Sequence, residues 1–523
     1  MPDKGATPAH DALLIENGFV YTADRRDRIY PLGSVLVLDG RIAAVGDAAD
    51  VRRAVHMLGA APRTIDARRH LVLPGLVNAH WHDVFAARIA RGGALRSCHD
   101  HEDLLGVFAG GGEMHAISAM FDGFHDMIDA LTSAEAEAIA YYSVWTQLRS
   151  GTTTLGDVGS LNRPDALIAA VRALGIRGAI STWASDVVCE VGADRPRRTR
   201  DCDMLLGELE GVFRSCAGDA TERLRARPST VSLTNMSDEL GEGLAEIVER
   251  FGATFATHLA AERNESAFVE HYFGARPVER LDRLGLVSDR LMAVHCSFVD
   301  DDEARRLVDA GVHINHSPAK YGAAGESTMS ETRLISRLLR DGAEVSLSTD
   351  GTIFPLGGMV ENMRAAWEMH NEMWADHNVV VPTRALAMAT RIGARGLGWE
   401  DEVGSLEVGK QGDLVMVPMD GWRYLLNPRP LEGLLRLGSS NDVKTVIVGG
   451  RILVEESRAC VVDEAELEAA FLAALRSFSS RLPGADHARI DAVMAMQEAA
   501  ERDRVPVASQ SYNQTNKGRS HVI

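Results

Sequence analysis

LVLPGLVNAHWHD, residues Leu71 to Asp83, is the stretch of sequence that decides the fold. A short apolar run interrupted by Pro74 and Gly75 leads to two histidines, His80 and His82, with one residue between them. Side chains two residues apart in an extended strand point to the same face. Both imidazoles can therefore converge on one point beyond the carboxyl end of a strand. This spacing is typical of half of a metal site, and also of two buried histidines satisfied by hydrogen bonds.

Length, charge and composition limit the classes of function. With 523 residues, 46% hydrophobic and 25% charged, the chain has the composition of a soluble globular protein of more than one domain. The net charge of −19 argues against nucleic acid and anionic membranes as partners, because phosphate binding needs clustered Lys and Arg. No signal peptide is recognisable, and the six scattered Cys indicate reduced thiols. We therefore expect a cytoplasmic protein that does not bind membranes.

Apolar runs that alternate with helical stretches predict an α/β fold. Eight strands are predicted, and in chain order they cover Leu71–Val77, Thr152–Asp157, Ile176–Thr182, Thr230–Asn235, Ala253–His258, Leu291–His295, Val312–Asn315 and Val345–Asp350. Eight strands with helices between them in a chain of this length fit a (β/α)8 TIM-like barrel.

The two ends of the chain are predicted to build a second, smaller domain. Short strands and turns fill residues 1–70, and β character returns over residues 404–460, after the barrel at 71–403. Strands that flank a barrel on both sides can pair with each other, so we expect one discontinuous β-sandwich. Residues 461–523 are expected to form C-terminal helices and a flexible tail.

A long insertion, residues 84–149, separates the first two predicted strands. It contains three consecutive glycines, 110–112, and a predicted helix over Glu135–Leu148. An insertion at the carboxyl end of a strand lies over the active face of a barrel, so we expect a lid or specificity element. Three side chains within it would suit a second metal ion, although a polar loop without ligands is the simpler interpretation: Cys98, His99 and His101.

Further histidines and acids fall where predicted strands end. His258 ends the fifth strand, His295 the sixth and Asp350 the eighth. Glu262 lies just past His258. Each residue alone is explained as a hydrogen-bonding group at a strand end. Together with the two histidines of the first strand they gather on the barrel face where such folds place their chemistry, so chance is a poor explanation.

These segments resemble the amidohydrolase superfamily, in its mononuclear branch of aminohydrolases and chlorohydrolases, which includes N-heterocycle deaminases and triazine hydrolases. The matching pieces are LPGLVNAHWH, RSGTTTLGDVG, ATHLAAE, AVHCSFVDDDE, LSTDG and GSLEVGKQGDLVMV. The resemblance implies a metal-dependent hydrolase that attacks a C–N bond of a small N-heterocycle, with hydrolytic deamination as the leading reaction. It also implies a homo-oligomer, such as a homodimer.

One divalent ion, Zn²⁺ or alternatively Fe²⁺, suits three neutral nitrogens and one carboxylate oxygen. The predicted ligands are His80, His82, His258 and Asp350. Such an ion turns water into a nucleophile near neutral pH. Asp350 is then expected to accept a proton, Glu262 to shuttle protons to the ring and leaving group, and His295 to polarise the attacked carbon or orient the nucleophile. In the two-metal members of the family that the chain resembles, a Lys on the fourth strand bridges the ions. The predicted fourth strand here has no Lys, so the resemblance implies a single ion.

Departures from the family pattern leave alternatives open. Glu262 stands four residues after His258 instead of three, so Glu265 competes with it as proton shuttle. Opening of a cyclic amide and hydrolytic dehalogenation remain possible reactions, because the same nucleophile serves all three leaving groups. A metal-containing binding protein without turnover is the alternative from another class.

Four aromatic residues and a lysine near the strand ends are candidates for substrate contact. Aromatic rings can stack on a planar substrate, although simple packing explains them too. The lysine can meet a substrate carboxylate or carbonyl, or lie at the surface. The five candidates are Trp81, Phe298, Lys320, Tyr321 and Phe354. Asp157 and Asp186 can accept ring N–H groups, but helix capping is the favoured interpretation.

Overall fold

The computed structural model describes residues 11–83, 111–324, 329–351, 358–425, 428–481 and 495. Several residues named above lie outside these ranges, namely Phe354, Cys98, His99 and His101, as do the predicted tail and residues 84–110 of the insertion. Among the described residues, no helix combines the length and the apolar character that crossing a bilayer requires.

Strands and helices alternate through most of the described chain. The strands are β1 (Ala12–Tyr21), β2 (Ile29–Leu38), β3 (Arg41–Asp47), β4 (Arg63–Asp66), β5 (His70–Pro74), β6 (Leu76–Trp81), β7 (Thr152–Asp157), β8 (Arg177–Ile180), β9 (Val187–Val188), β10 (Arg197–Arg198), β11 (Leu224–Ala226), β12 (Ser229–Thr230), β13 (Phe255–Leu259), β14 (Leu291–His295), β15 (His313–His316), β16 (Val345–Leu347), β17 (Leu414–Pro418), β18 (Thr445–Val448), β19 (Arg451–Glu455) and β20 (Arg458–Ala459). The helices are α1 (Ala48–Leu58), α2 (Met114–Asp129), α3 (Ser133–Arg149), α4 (Pro164–Leu174), α5 (Cys202–Ala217), α6 (Asp238–Phe251), α7 (Glu265–Phe273), α8 (Pro277–Arg283), α9 (Asp301–Asp309), α10 (Pro318–Ala324), α11 (Met329–Thr332), α12 (Leu334–Arg340), α13 (Met359–Trp374), α14 (Pro382–Met388), α15 (Arg391–Gly396), α16 (Trp422–Leu425), α17 (Pro430–Leu437) and α18 (Glu464–Ser479).

Two parallel sheets carry the central strands. One has the order β11-β8-β7-β6 and the other the order β12-β13-β14-β15-β16. Isolated parallel bridges between Trp81 and Asp350 and between Ala184 and Thr230 connect the two sheets. Helices α4, α6, α7, α9 and α12 lie between successive strands in the chain. This is a TIM-barrel-type fold, and complete closure as a (β/α)8 barrel stays a prediction.

The apolar run that starts at Leu71 forms two strands instead of the single predicted one. β5 pairs with β17, whereas β6 pairs with β7. Gly75 lies between them, and its N–H donates to the carbonyl of Asp413 at 2.9 Å. A Cβ at Gly75 would lie 2.1 Å from Oγ1 of Thr153. Only glycine therefore fits where the chain passes from one sheet to the other.

The predicted fourth strand, residues 230–235, is wrong in its position. β11 lies earlier in the chain, β12 already ends at Thr230, and Leu233–Asn235 forms a 3-10 turn. The hydroxyl of Ser232 accepts the N–H of Thr234 at 3.2 Å, and such a local hydrogen bond competes with strand pairing. The other predicted strands coincide with β7, β8, β13, β14, β15 and β16 to within a few residues.

Strands from both ends of the described chain pair in one sheet of nine strands. Its order is β20-β19-β18-β17-β5-β1-β2-β3, with β4 beside β1. Side chains from both halves, such as Ile15, Val35, Leu414 and Ile447, share one buried apolar cluster. The two ends thus meet as expected, while the sandwich arrangement and the domain boundaries stay predictions.

A buried ion pair ties this nine-stranded sheet to the barrel strands. Arg177 in β8 donates two hydrogen bonds to Asp413, at 2.8 and 3.1 Å. Their side chains are only 3% and 2% exposed. Asp413 also accepts the N–H of Gly449 at 2.7 Å. The pair is therefore a structural connection between the two units.

Asp413→Ala is expected to lower the free energy of unfolding by about 3–5 kcal/mol, because it leaves a buried guanidinium without its partner. Denaturant unfolding followed by fluorescence measures the change. Glu455→Ala is the matched control, since it breaks a pair with Arg63 whose side chains are 62% and 48% exposed, and it should leave stability nearly unchanged. Equal losses in the two variants would contradict a special role for the buried pair.

Candidate metal centre

The four predicted metal ligands converge at the carboxyl ends of the parallel strands. One donor atom from each lies within 4.8 Å of every other in the set His80, His82, His258 and Asp350. His80 belongs to β6 and His258 to β13, while His82 and Asp350 follow β6 and β16. Because carboxyl ends of parallel strands share one edge, residues far apart in sequence meet here.

The separations of the donor atoms suit a single small ion. Nε2 of His80 lies 3.2 Å from Nε2 of His82 and 3.1 Å from Nε2 of His258. Oδ1 of Asp350 lies 3.5 Å from Nε2 of His80 and 3.3 Å from Nε2 of His82. Ligand atoms about 2.1 Å from a tetrahedral Zn²⁺ are about 3.4 Å apart. These four separations are therefore close to those around a single ion of this size.

Hydrogen bonds behind the rings turn Nε2 toward the site. Nδ1 of His258 donates to the carbonyl of Val231. A carbonyl only accepts, so Nδ1 carries the hydrogen and Nε2 presents its lone pair. Nδ1 of His82 lies 2.6 Å from Oγ of Ser160. These contacts hold the rings in the orientation that metal binding needs.

Burial sets the charge of the site. It lowers the pKa of His80 and, together with the neighbouring histidines, lowers the pKa of His258 well below its ordinary value. Both rings are therefore neutral at physiological pH, as ligands must be. Burial alone would raise the pKa of Asp350, but Lys320 and the nearby histidines hold it well below its ordinary value. Asp350 is therefore an anion.

The two oxygens of Asp350 have different neighbours. Oδ1 faces the histidine nitrogens, whereas Oδ2 accepts a hydrogen bond from Nζ of Lys320 at 2.8 Å. Oδ2 also lies 3.4 Å from Nε2 of His295. The side chain of Lys320 is 12% exposed, so the interpretation as a surface lysine is wrong. Lys320 belongs to the site as the charge partner of Asp350.

Left-handed backbone conformations cluster at the strand ends that carry the site. His295 has φ 76°, Asp350 φ 57° and Ala260 φ 44°. For residues other than glycine such a conformation costs about 1–3 kcal/mol and persists where the surroundings enforce it. Its recurrence after β13, at the end of β14 and after β16 is typical of a functional site.

The two competing glutamates have different surroundings. The carboxylate of Glu265 accepts the N–H groups of Ala260 and Ala261 at 2.9 and 2.8 Å and thereby holds the turn after β13. Glu262, in the same turn, is 4% exposed. A Cβ added at Gly112 would lie 2.9 Å from Cγ of Glu262, so this glycine of the insertion packs directly on it. Glu265 supports the turn, and Glu262 stays the predicted proton shuttle.

The aromatic residues that were predicted to contact the substrate lie in different surroundings. The side chain of Trp81 points away from its neighbouring histidines and lies in the main hydrophobic core, 2% exposed. Phe298 is half-buried against the same core. Tyr321 is 3% exposed, and its hydroxyl contacts Nδ1 of His295. Trp81 is therefore a core residue, and Tyr321 touches a predicted catalytic side chain.

Asp157 and Asp186 hold loops and do not cap helices. Asp157 accepts the N–H groups of Gly159 and Ser181, both at 2.9 Å. Asp186 accepts the N–H and the hydroxyl of Ser237 at 2.8 and 2.6 Å. The interpretation of both residues as helix caps was wrong, because their carboxylate oxygens accept hydrogen bonds from residues of neighbouring loops.

Sequence reasoning missed two neighbours of His82. Ser160 bonds its Nδ1, and the ring centroid of Trp183 lies 6.5 Å from that of His82. Nε1 of Trp183 donates to the carbonyl of Phe121 in α2 at 3.2 Å. Only their position in the sequence could have indicated a role for Ser160 and Trp183, since both residues follow strands of the barrel. Through this contact the described part of the insertion reaches the site.

Known proteins are similar to this chain over most of its length. A family model described as "Amidohydrolase family" matches residues 71–453. The 5-methylthioadenosine/S-adenosylhomocysteine deaminase of Syntrophobacter fumaroxidans is 29% identical over 469 residues, 85% of this chain and 93% of that protein. The 5'-deoxyadenosine deaminase of Methanosarcina mazei is 26% identical over 453 residues, 86% of this chain and 95% of that protein.

A solved structure gives the same picture of the fold. The crystal structure of an adenosine deaminase from Xanthomonas campestris with bound zinc matches with a TM-score of 0.74 at 23% identity. The match covers 91% of this chain and 99% of that one. The likeness supports a TIM-barrel-type fold for the described chain.

Proposed function

Because the family model matches most of its length, the chain belongs to the amidohydrolase family, and on this premise we propose that it deaminates an adenine nucleoside by hydrolysis. The protein is a hydrolase of C–N bonds, and deamination of an N-heterocycle is the reaction that its relatives are named for. Those names also support a substrate modified at the 5' position of the ribose.

The observation that carries the proposal is the convergence of three histidine nitrogens and one carboxylate oxygen on one point. This donor chemistry supports Zn²⁺, with Fe²⁺ as the alternative. The segment from Leu224 to Asn235, which includes the fourth strand, contains no lysine that would bridge two ions. We therefore propose a mononuclear centre.

The residues around the centre divide the proton transfers among them. A bound divalent ion supplies Lewis acidity, which makes water a nucleophile near neutral pH. Asp350 is the anionic member of the donor set, and it would accept a proton from the attacking water. Glu262 delivers protons to the ring nitrogen and to the departing amine. A C–O bond forms, the exocyclic C–N bond breaks, and ammonia leaves.

Purified protein is expected to release ammonia from 5'-methylthioadenosine, S-adenosylhomocysteine or 5'-deoxyadenosine, measured by a coupled ammonia assay. Removal of the metal with a chelator should lower the rate by at least about 100-fold, because the nucleophile is lost. Added Zn²⁺ or Fe²⁺ should restore it, and metal analysis should give one ion per chain.

The alternatives give different results in the same assay. Chloride release from a chlorinated heterocycle would favour dehalogenation, and acid release from a cyclic amide would favour ring opening. Binding of a heterocycle with metal present and no product after long incubation would favour a binding protein. Protein that never binds metal would contradict the proposal.

The proposal also covers the compartment, the oligomeric state, the closure of the barrel and the role of the insertion. We propose a cytoplasmic homo-oligomer with a closed (β/α)8 barrel that begins at β6 and extends to about residue 403, and a lid built from the insertion 84–149. The contact between Trp183 and α2 supports the position of that lid. Light scattering after size exclusion measures the oligomeric state, and a monomer would contradict that part.

A further inference from the structure

The strand that carries the first two metal ligands contains a β-bulge. The register of β6 against β7 shifts between Asn78 and Trp81, where β6 advances by one residue more than β7. Two residues of β6, Ala79 and His80, therefore lie opposite the single residue Gly156 of β7. A bulge of this kind bends a strand and changes the direction of its side chains, and bulges are frequent next to active sites.

The bulge decides which side chains of β6 reach the metal centre. Before it, Val77 and Ala79 share an apolar cluster with residues of β8, β13 and β14, so they point into the space between the two parallel sheets. Strict alternation would next turn Trp81 to this inner face and His80 away from it. Instead, Trp81 lies in the main hydrophobic core, and His80 faces the other metal ligands. The extra residue therefore brings His80 and His82 to the inner face.

Gly156 leaves the space that the bulge requires. A Cβ at this position would lie 2.1 Å from the carbonyl oxygen of Ala79 and 2.7 Å from its carbonyl carbon. Non-bonded atoms do not approach so closely, so any larger residue would displace the carbonyl group of Ala79. A glycine inside a strand is typical of such a close approach of two backbones.

A buried arginine holds the carbonyl groups at the bulge. Nη1 of Arg227 donates to the carbonyl of Ala79 at 3.1 Å, and Nη2 donates to the carbonyl of Asp157 at 2.7 Å. Ala79 lies in the bulge, and Asp157 is the partner of Trp81 directly after it. Nη1 also lies 3.8 Å from Sδ of Met292. The side chain thus reaches across to β6, β7 and β14.

A cation at this position is costly to bury. Arg227 is 1% exposed, and within the described part of the chain it forms no ion pair. Arginine is almost never fully buried unless it is paired, because a charge loses its hydration on burial. A bulge leaves backbone groups without partners in the ladder, and a guanidinium offers donors in a fixed fork. The bulge and the arginine therefore satisfy each other.

We propose that Arg227 is a positioning residue that holds the bulge of β6 and thereby keeps His80 and His82 on the inner face, where they can bind the metal ion. It acts through backbone carbonyl groups and not through the imidazole rings. The inference rests on the metal centre of the proposed function, but not on the substrate or the reaction.

The zinc affinity of the full-length protein, measured by competition with a chromophoric chelator, tests the inference without substrate. Arg227→Met keeps an unbranched side chain and removes every donor. We expect it to weaken zinc binding about 10- to 100-fold, the usual effect of losing a group that supports metal ligands. The visible absorption spectrum of the Co²⁺-substituted protein, which reports the ligand geometry, should change as well.

Arg227→Lys separates the fork of donors from the charge. Lysine keeps the positive charge but has one nitrogen on a flexible stem in place of the planar guanidinium. It cannot place two separate nitrogens on the carbonyl groups of Ala79 and Asp157. We therefore expect a zinc affinity between those of the native protein and Arg227→Met.

Arg384→Met is the matched control. Arg384 in α14 is half-buried, and it also donates to two carbonyl groups, those of Val379 at 2.8 Å and Ala343 at 3.0 Å. Ala343 precedes β16, at the end of that strand opposite to Asp350. This variant should lose stability, because buried carbonyl groups lose their donors. Its zinc affinity and cobalt spectrum should stay native.

Native zinc affinity and an unaltered cobalt spectrum in folded Arg227→Met would overturn the inference, and so would an equal loss of zinc affinity in Arg384→Met. If Arg227→Met did not fold, Arg227→Lys would decide by the same two measurements. Native protein that bound neither Zn²⁺ nor Co²⁺ would refute the proposed function and the inference together. Metal binding that is insensitive to both changes at Arg227 would refute the inference alone.

Discussion

Asp350→Asn is expected to lower kcat/KM for deamination by at least about 1,000-fold, because one substitution removes both the anionic ligand and the proton acceptor. The side chain keeps its size, so the loss reports charge and not packing. Steady-state kinetics with metal analysis of the same sample measures both effects. We expect less than one bound ion per chain.

The contacts of Asp350 explain why the amide is a poor replacement. Oδ1 faces two histidine nitrogens, and Oδ2 faces the Lys320 ammonium and Nε2 of His295. An asparagine has one acceptor oxygen and an NH₂ group that only donates. If the NH₂ group of the asparagine faced Lys320, two hydrogen-bond donors would meet. If it faced the histidines, the ion would lose the lone pair that Oδ1 provides.

Asp24→Asn is the control for loss of a buried carboxylate as such. Asp24 is 2% exposed and forms an ion pair with Arg28 near the chain's amino-terminal strands. This variant should lose stability but keep its metal and its kcat. Full metal content and turnover in Asp350→Asn would exclude Asp350 as a required ligand and proton acceptor.

Much of the metal centre could be predicted because strand geometry is local. The spacing of His80 and His82 places both rings on one face, and parallel strands bring His258 and Asp350 to the same edge. The split at Gly75 could not be predicted, since it depends on a close approach by Thr153. This difference between the prediction and the structure comes from a contact between segments that are distant in sequence.

The contacts of the residues around the metal ligands were harder to predict than the ligands themselves. Tyr321 was a candidate for a substrate wall, yet its hydroxyl bonds the ring of His295. Lys320 was assigned to substrate or surface, yet it pairs with Asp350. Both assignments depend on how α10 packs against the carboxyl end of β14, which periodicity does not specify. Chemical type marked these residues as functional without revealing their partners.

Glu262→Gln is expected to lower kcat by about 10²- to 10⁴-fold while the metal content stays unchanged. The amide cannot shuttle a proton, and general acid–base catalysis contributes an effect of that size. Metal should remain, because Glu262 lies outside the group of four donors. The measurement is kcat from ammonia release, normalised to bound metal.

Glu265→Gln separates the two candidate shuttles. Oε1 of Glu265 accepts the N–H of Ala260 and Oε2 that of Ala261. A glutamine offers one oxygen, so an NH₂ group would face a buried N–H, which costs about 1–3 kcal/mol. We expect a lower denaturation midpoint with kcat per folded molecule largely kept. The reverse pattern, turnover lost at unchanged stability in Glu265→Gln and kept in Glu262→Gln, would assign the shuttle to Glu265 and make Glu262 a packing residue under Gly112.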